Sequence, residues 1–287
     1  MARAERRRQE VAVAKAKQPR PRPSTHWFIY GDFGMGKTEF LATFGLYKET
    51  RPVKVYLFDP VGGQEYPYLN LQDRIRGERY GELQEEIIDD FGIRYRDVYD
   101  LRDGELAIRI MIMAEPTPRS PVSTIAFQQE FDAAFQQDQG WKTVGLDTLD
   151  SYELSASKTE EYVMNPKAKD PRQWFGGATS TLEETLCMSL VHLKCNLVVL
   201  THINRDKINY NGHAIQGPSC GPGRLATKLG AYFPEIYKAY AVRGEDGQRL
   251  YQLQTQPDDM FVAKTHIDVS DPVYPDYGEL WTNWDAK

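Results

Sequence analysis

The sequence predicts an α/β protein: a mostly parallel, doubly wound sheet with helices on both faces and antiparallel hairpins toward the C-terminal end. Three observations predict it. Short apolar runs ending at Tyr30, Asp59, Asp147 and His202 alternate with segments of helical periodicity, the pattern of parallel strands joined by crossover helices. A glycine-rich octapeptide, Gly31-Asp32-Phe33-Gly34-Met35-Gly36-Lys37-Thr38, directly follows the first of these runs. Late in the chain the turn signals Asn211-Gly212 and Gly244-Glu245-Asp246-Gly247 separate strand-like runs in pairs.

The octapeptide fits the phosphate-loop pattern G-x-x-x-x-G-K-[ST] at every fixed position. Glycines there let backbone amides turn inward onto phosphate oxygens. Lys37 brings a point charge to the β- and γ-phosphates, and the Thr38 hydroxyl suits Mg²⁺. Context strengthens the match. His26-Trp27-Phe28-Ile29-Tyr30 reads as a buried strand entering the loop, and Thr38 to Lys48 as a helix with Leu41 and Phe44 on one face. The expected nucleotide contacts are therefore Gly31, Asp32, Phe33, Gly34, Met35, Gly36, Lys37, Thr38 and Glu39, with ATP and Mg²⁺ as the ligands.

Composition bounds the partners. The chain has 287 residues, 41% of them hydrophobic, enough for a packed core. Its net charge of −6 is uneven: residues 1–23 carry +6, which leaves −12 on the remainder. An acidic body is not the general signature of a nucleic-acid binder, so DNA contact would come from local patches or from the basic arm. Three cysteines without a C-x-x-C pair point to a reducing cytosol rather than a disulfide framework. No apolar run reaches the length of a membrane span. The expected organisation is a basic, flexible arm over 1–23, then one domain over 24–287, with an insertion around 62–122 and a cap from about 268.

Along that domain, Val53 to Phe58 is a second strand that delivers Asp59 to the sheet edge where ligands bind. Residues 64–105 have weak periodicity, with short helices expected around Glu82–Asp90, and Leu106–Met113 reads as a strand. Thr124 to Gln137 is a helix. Trp141 to Asp147 is an apolar strand ending in the carboxylate expected to hold Mg²⁺ together with Thr38, with Asp150 as the fallback. Residues 151–176 read as a polar segment in which basic residues (Lys158, Lys167, Lys169, Arg172) interleave with Trp174 and Phe175. That mixture suits either a phosphate-and-base contact surface or an ordinary surface loop. Thr179 to Lys194 reads as a helix with Leu182, Leu186, Leu190 and Leu193 on its apolar face. Asn196 to His202 is a continuous apolar strand, hence central and parallel. It presents His202 at the same edge, as a structural histidine or as a γ-phosphate sensor. A hairpin over Asn204–Gln216, a helix over Leu225–Phe233, a hairpin over Glu235–Thr255 and a last strand over Phe261–Thr265 complete the reading.

The phosphate loop resembles that of the archaeal and eukaryotic recombinases among the RecA-like ATPases. The order of loop, Asp-ended strand, polar-ended strand and C-terminal hairpins is similar to that of phage-encoded nucleotide-binding proteins of the single-strand annealing and recombination type. The resemblance implies ATP and Mg²⁺ at Lys37, Thr38 and Asp147, a γ-phosphate sensor at His202, and single-stranded DNA on the loops after Asp147 and His202. It also implies self-association into a ring or filament, with Lys264 reaching a neighbouring subunit's site, in the cytoplasm of a bacterial host. Such recombinases carry a catalytic Glu two residues beyond the strand-end Asp, where this chain has Val61. Asp59 or Glu65 is then the candidate base, or turnover is slow. Two other classes compete. A small-molecule phosphotransferase would need an arginine lid, for which Arg94 and Arg96, or Arg102 and Arg109, are the candidates. A nucleotide switch or assembly factor would bind with little turnover; Asn204-Arg205-Asp206-Lys207 is not the N-K-x-D guanine signature, which argues against a GTP switch.

Overall fold

The computed structural model describes residues 22–58, 64–69, 72–73, 78–88, 93–113, 119, 121–136, 140–210, 213–219 and 231–285. The basic arm up to residue 21, Asp59, Val61 and most of the expected Leu225–Phe233 helix lie outside them. Among the described residues one nine-stranded sheet runs in the order β13-β12-β1-β9-β8-β2-β7-β6-β5. Its middle is parallel: β1 (His26–Tyr30) lies between β12 (Glu235–Arg243) and β9 (Asn196–Thr201), followed by β8 (Thr143–Asp147), β2 (Val53–Phe58) and β7 (Leu106–Met113). Both margins are antiparallel: β13 (Arg249–Gln254) on β12, and β6 (Arg94–Asp100) and β5 (Gly81–Ile88) beyond β7. This is the α/β class the alternating pattern predicts, with the expected C-terminal hairpin.

Side chains alternate across the sheet with the strand period of two and so build two cores. On one face Trp27, Ile29, Val55, Leu57, Val198 and Leu200 join Phe40, Leu41 and Phe44, with Tyr277, Leu280 and Trp281 of the C-terminal segment. On the other face Phe28, Tyr30, Tyr56, Phe58, Leu197 and Val199 meet Phe127 and Phe131 of α3 (Ser123–Gln136) and Tyr152, Leu182 and Leu186. The first core includes an aromatic stack. Phe44 stands edge-on to Trp27 at 5.3 Å between centroids and lies 4.7 Å from Tyr277. Such pairs contribute ~0.5–1.5 kcal/mol each beyond area burial. Near the C-terminal end the Tyr277 amide also donates to Thr43 Oγ1 at 3.0 Å.

Three expectations are corrected. Short helices expected around Glu82–Asp90 are instead the edge strand β5, antiparallel to β6. An edge strand keeps one side in water and tolerates charge, so its Glu-rich composition hides the strand pattern. The polar segment 151–176 is largely helical: α4 (Leu149–Thr159) continues into a π-helical turn, Glu160–Met164, and α5 (Pro171–Glu183) starts on an Asp170 cap that accepts from the Arg172 amide, with Pro171 in the first turn. Leu149, Tyr152 and Ala156 lie along the buried side of α4, at spacings of three and four. Finally, Phe261 and Lys264 make isolated bridges to Gln216 and Ile236 rather than a strand. The hairpin of β10 (Ile203–Tyr210) and β11 (His213–Pro218) forms as predicted, while the first helix, α1 (Lys37–Thr43), is shorter than expected and ends in a 3₁₀ turn at Phe44–Leu46.

Candidate nucleotide site

β1 delivers the chain to the carboxyl edge of the sheet, where ligands of open α/β folds bind. Three glycines then act for two different reasons. Gly34 and Gly36 have φ of +68° and +81°, the left-handed region that favours glycine. Gly31 instead allows close approach: a Cβ there would sit 2.3 Å from the carbonyl oxygen of Ala239 on β12. The loop closes into α1 with the Phe40 amide donating to Gly36 O at 2.9 Å.

Lys37 is buried, and its Nζ donates to the carbonyls of Gly31 at 2.9 Å and Asp32 at 2.8 Å. Burial lowers its pKa, against the pull of Asp147, Asp150 and Asp32. Thr38 Oγ1 donates to Asp147 Oδ2 at 2.9 Å, so two residues 109 positions apart meet as the motif requires. The Tyr68 hydroxyl donates to the same oxygen at 2.8 Å. Asp147 Oδ1 is buried and has no hydrogen-bond partner among the described residues. Burial raises the Asp147 pKa, the largest influence, over the opposing hydrogen bonds of Tyr68 and Thr38 and the charge of Lys37. A buried carboxylate oxygen without a donor, beside a threonine hydroxyl, fits a hard divalent cation. No group of three or more His, Cys, Asp or Glu gathers among the described residues.

An open cavity of about 300 Å³ lies over these groups, lined by the loop from Phe33 to Glu39, Gln64, Pro67, Asp147, Thr148 and His202. Its far wall is the end of β9. His202 Nδ1 lies 2.5 Å from Asp150 Oδ2, and the Phe33 ring covers the imidazole at 3.9 Å between centroids. Burial works against ionising Asp150, but the His202 hydrogen bond and charge, with backbone and Thr148 contacts, outweigh it and hold its pKa below the usual carboxylate value.

The cavity thus gathers Phe33, Gly34, Met35, Gly36, Lys37, Thr38, Glu39, Asp147 and His202, with Gly31 and Asp32 beneath, contacting Lys37 through their carbonyls. Other expected residues stand elsewhere. Glu65 is buried beside the site but outside the cavity lining, with Oε1 3.6 Å from Arg96 Nη1. Lys264 Nζ donates to Phe233 O at 3.2 Å, also outside the lining. Asp150 serves His202 rather than the Thr38–Asp147 pair. Of the arginines considered for a lid, Arg102 is held by Asp100 and Arg109 by Asp97, both carboxylates buried on β6, and Arg96 lies 3.6 Å from Glu65. Sequence reasoning missed Gln64, Pro67 and Tyr68. They reach the site through α2 (Tyr66–Leu69) and the turn before it, and nothing in their local sequence marks them.

No protein-family model and no curated protein matches the chain. Among solved structures it is similar to the flagellar accessory protein FlaH from Methanocaldococcus jannaschii, at 7% identity and a TM-score of 0.39 over 87% of this chain and 83% of that one. It is also similar to the RadB recombinase, at 14% identity and a TM-score of 0.39 over 83% and 85%. Likeness at this distance adds nothing to what the site's own chemistry carries.

Proposed function

We propose that the chain binds and hydrolyses ATP with Mg²⁺, and works as an oligomer on single-stranded DNA in recombination or annealing of the phage type. The observation that carries the nucleotide part is the meeting of Thr38 Oγ1 with Asp147 Oδ2 beside a lysine held inside a left-handed glycine loop. In this reading the loop amides from Gly34 to Thr38 bind phosphate oxygens, and Lys37 leaves the Gly31 and Asp32 carbonyls for the β- and γ-phosphates. Thr38 and Asp147 hold Mg²⁺, which when bound supplies charge neutralisation on the phosphate oxygens. His202 faces the γ-phosphate end of the cavity.

The DNA part rests on the family resemblance and on the helical hairpin after Asp147. Lys167, Lys169 and Phe175 are exposed near its tip, as phosphate and base contacts require. Trp174 does not join them, since its Nε1 donates to Asn165 O at 3.3 Å. The phosphotransferase reading is weakened, since Arg102 and Arg109 are committed to Asp100 and Asp97 and Arg96 faces Glu65. A switch with little turnover stays as the second reading, favoured by the withdrawal of Glu65 to Arg96. The test is ATP binding and phosphate release by the full chain, with and without single-stranded DNA, beside light scattering for assembly state. Stimulated release and assembly support the proposal; tight binding with no release selects the switch; no DNA shift on a gel removes the DNA part.

A further inference from the structure

We infer that Asp150 and His202 form an acid–base dyad in which His202 Nε2 is the general base for water, taking the place of the carboxylate that the sequence lacks two residues beyond Asp59. This rests on the ATPase reading above and specifies its chemistry.

The argument begins with the tautomer. An ionised carboxylate only accepts hydrogen bonds. Asp150, 2.5 Å from Nδ1, therefore holds the imidazole proton on Nδ1 and leaves a lone pair on Nε2. Nε2 has no hydrogen-bond partner among the described residues. The ring is fixed on both sides of that bond. Phe33 covers its face, and the His202 carbonyl accepts from the Ser219 amide at 2.7 Å. A base oriented by a carboxylate through its other nitrogen is the general arrangement for activating a hydroxyl or water. A γ-phosphate sensor would need the opposite, a proton on Nε2 to donate.

Placement and elimination agree. His202 lines the cavity opposite Lys37 and Thr38, while Glu65 faces Arg96 outside it. The charged groups facing the imidazole across the cavity are Lys37 and Glu39 from α1 and Asp147 from β8, with Asp150 from α4 in contact. In the step, the water oxygen bonds to the γ-phosphorus and the bond from that phosphorus to the β–γ bridging oxygen breaks. Its electron pair leaves with ADP, and the water proton passes to Nε2, from which solvent later removes it.

The experiment measures ATP affinity by titration calorimetry and phosphate release across pH 5.5–9 for the full chain, His202→Gln and Asp150→Asn. Glutamine keeps a donor that could serve a sensor but has no basic nitrogen. The expected result is wild-type ATP affinity in both variants, with release reduced roughly 10²–10⁴-fold in His202→Gln and at least about tenfold in Asp150→Asn. The wild-type rate falls toward acid, and this fall is absent from the residual rate of His202→Gln. Release by His202→Gln at the wild-type rate overturns the dyad and leaves the nucleotide reading intact, as does a wild-type rate that rises toward acid. Binding by the wild type without any release does the same. Failure of the wild type to bind ATP overturns both. Should His202→Gln not fold, the wild-type profile and Asp150→Asn decide.

Discussion

Asp147, which ends β8, and Asp150, in the first turn of α4, stand three positions apart and are opposites. Asp147 is fully buried, receives two hydroxyl donors on one oxygen and none on the other, and has its pKa raised by burial. Asp150 stands at the cavity edge, meets an imidazole and is held ionised. The lesson is that residue type does not assign a carboxylate its task; the dielectric and the partner do. The strand-end carboxylate Asp147 is sealed within the sheet edge, with one oxygen left without a donor among the described residues. One three residues on, in the first turn of the helix, turns toward the end of β9 and its histidine.

Both corners share Lys37, so its removal should break the comparison outright. Lys37→Ala is expected to weaken ATP binding more than about 100-fold, on the order of 3 kcal/mol, in a calorimetric titration; binding within a few-fold of wild type would sink the nucleotide assignment. Asp147→Asn separates the corners next. It removes a buried charge, so the nucleotide-free protein should melt a few degrees higher, at ~2–4 °C per kcal/mol for a domain of this size, while the Mg²⁺ dependence of ATP affinity is lost. A lower melting temperature with Mg²⁺ dependence retained would contradict the placement of the cation.

Asp150→Asn should act on stability with the opposite sign. A depressed carboxylate pKa stabilises the fold above the unfolded value of ~3.9 and loses that contribution as pH falls through the folded value. The variant is expected to be less stable near pH 7 by ~1–2 kcal/mol, with the difference from wild type shrinking in acid below about pH 4. Denaturant melts at both pH values check this; a pH-independent difference would mean that packing, not charge, explains it. The smallest effect is expected from Tyr68→Phe. It deletes one donor to Asp147 Oδ2 without opening a cavity and should cost ~1 kcal/mol, read as a shift in denaturant midpoint.

Much of this was legible beforehand because it is local. The octapeptide, the strand before it and the helix after it follow from residue spacing within one short stretch. The alternation of Trp27 and Ile29 against Phe28 and Tyr30 shows the two faces of β1 directly. The edge strand β5 was not legible, since its Glu-rich side needs no apolar alternation to pair with β6. Nor was the hairpin of α4 and α5, whose apolar positions are few among polar residues. Within the site, Thr38, Asp147 and His202 were found because each ends or follows a recognisable run. Tyr68 and Gln64 were not, because their role depends on where an irregular segment is laid.

By itself the sequence determined the strand–loop–helix unit and the order of apolar strands, because periodicity and glycine placement act over a few residues. Only tertiary structure decided which carboxylate accepts from Thr38, which orients His202 and which, in Glu65, withdraws toward Arg96. Those outcomes depend on burial and on partners tens to more than a hundred residues away, and no local pattern encodes the dielectric that a side chain meets once the sheet has closed around it.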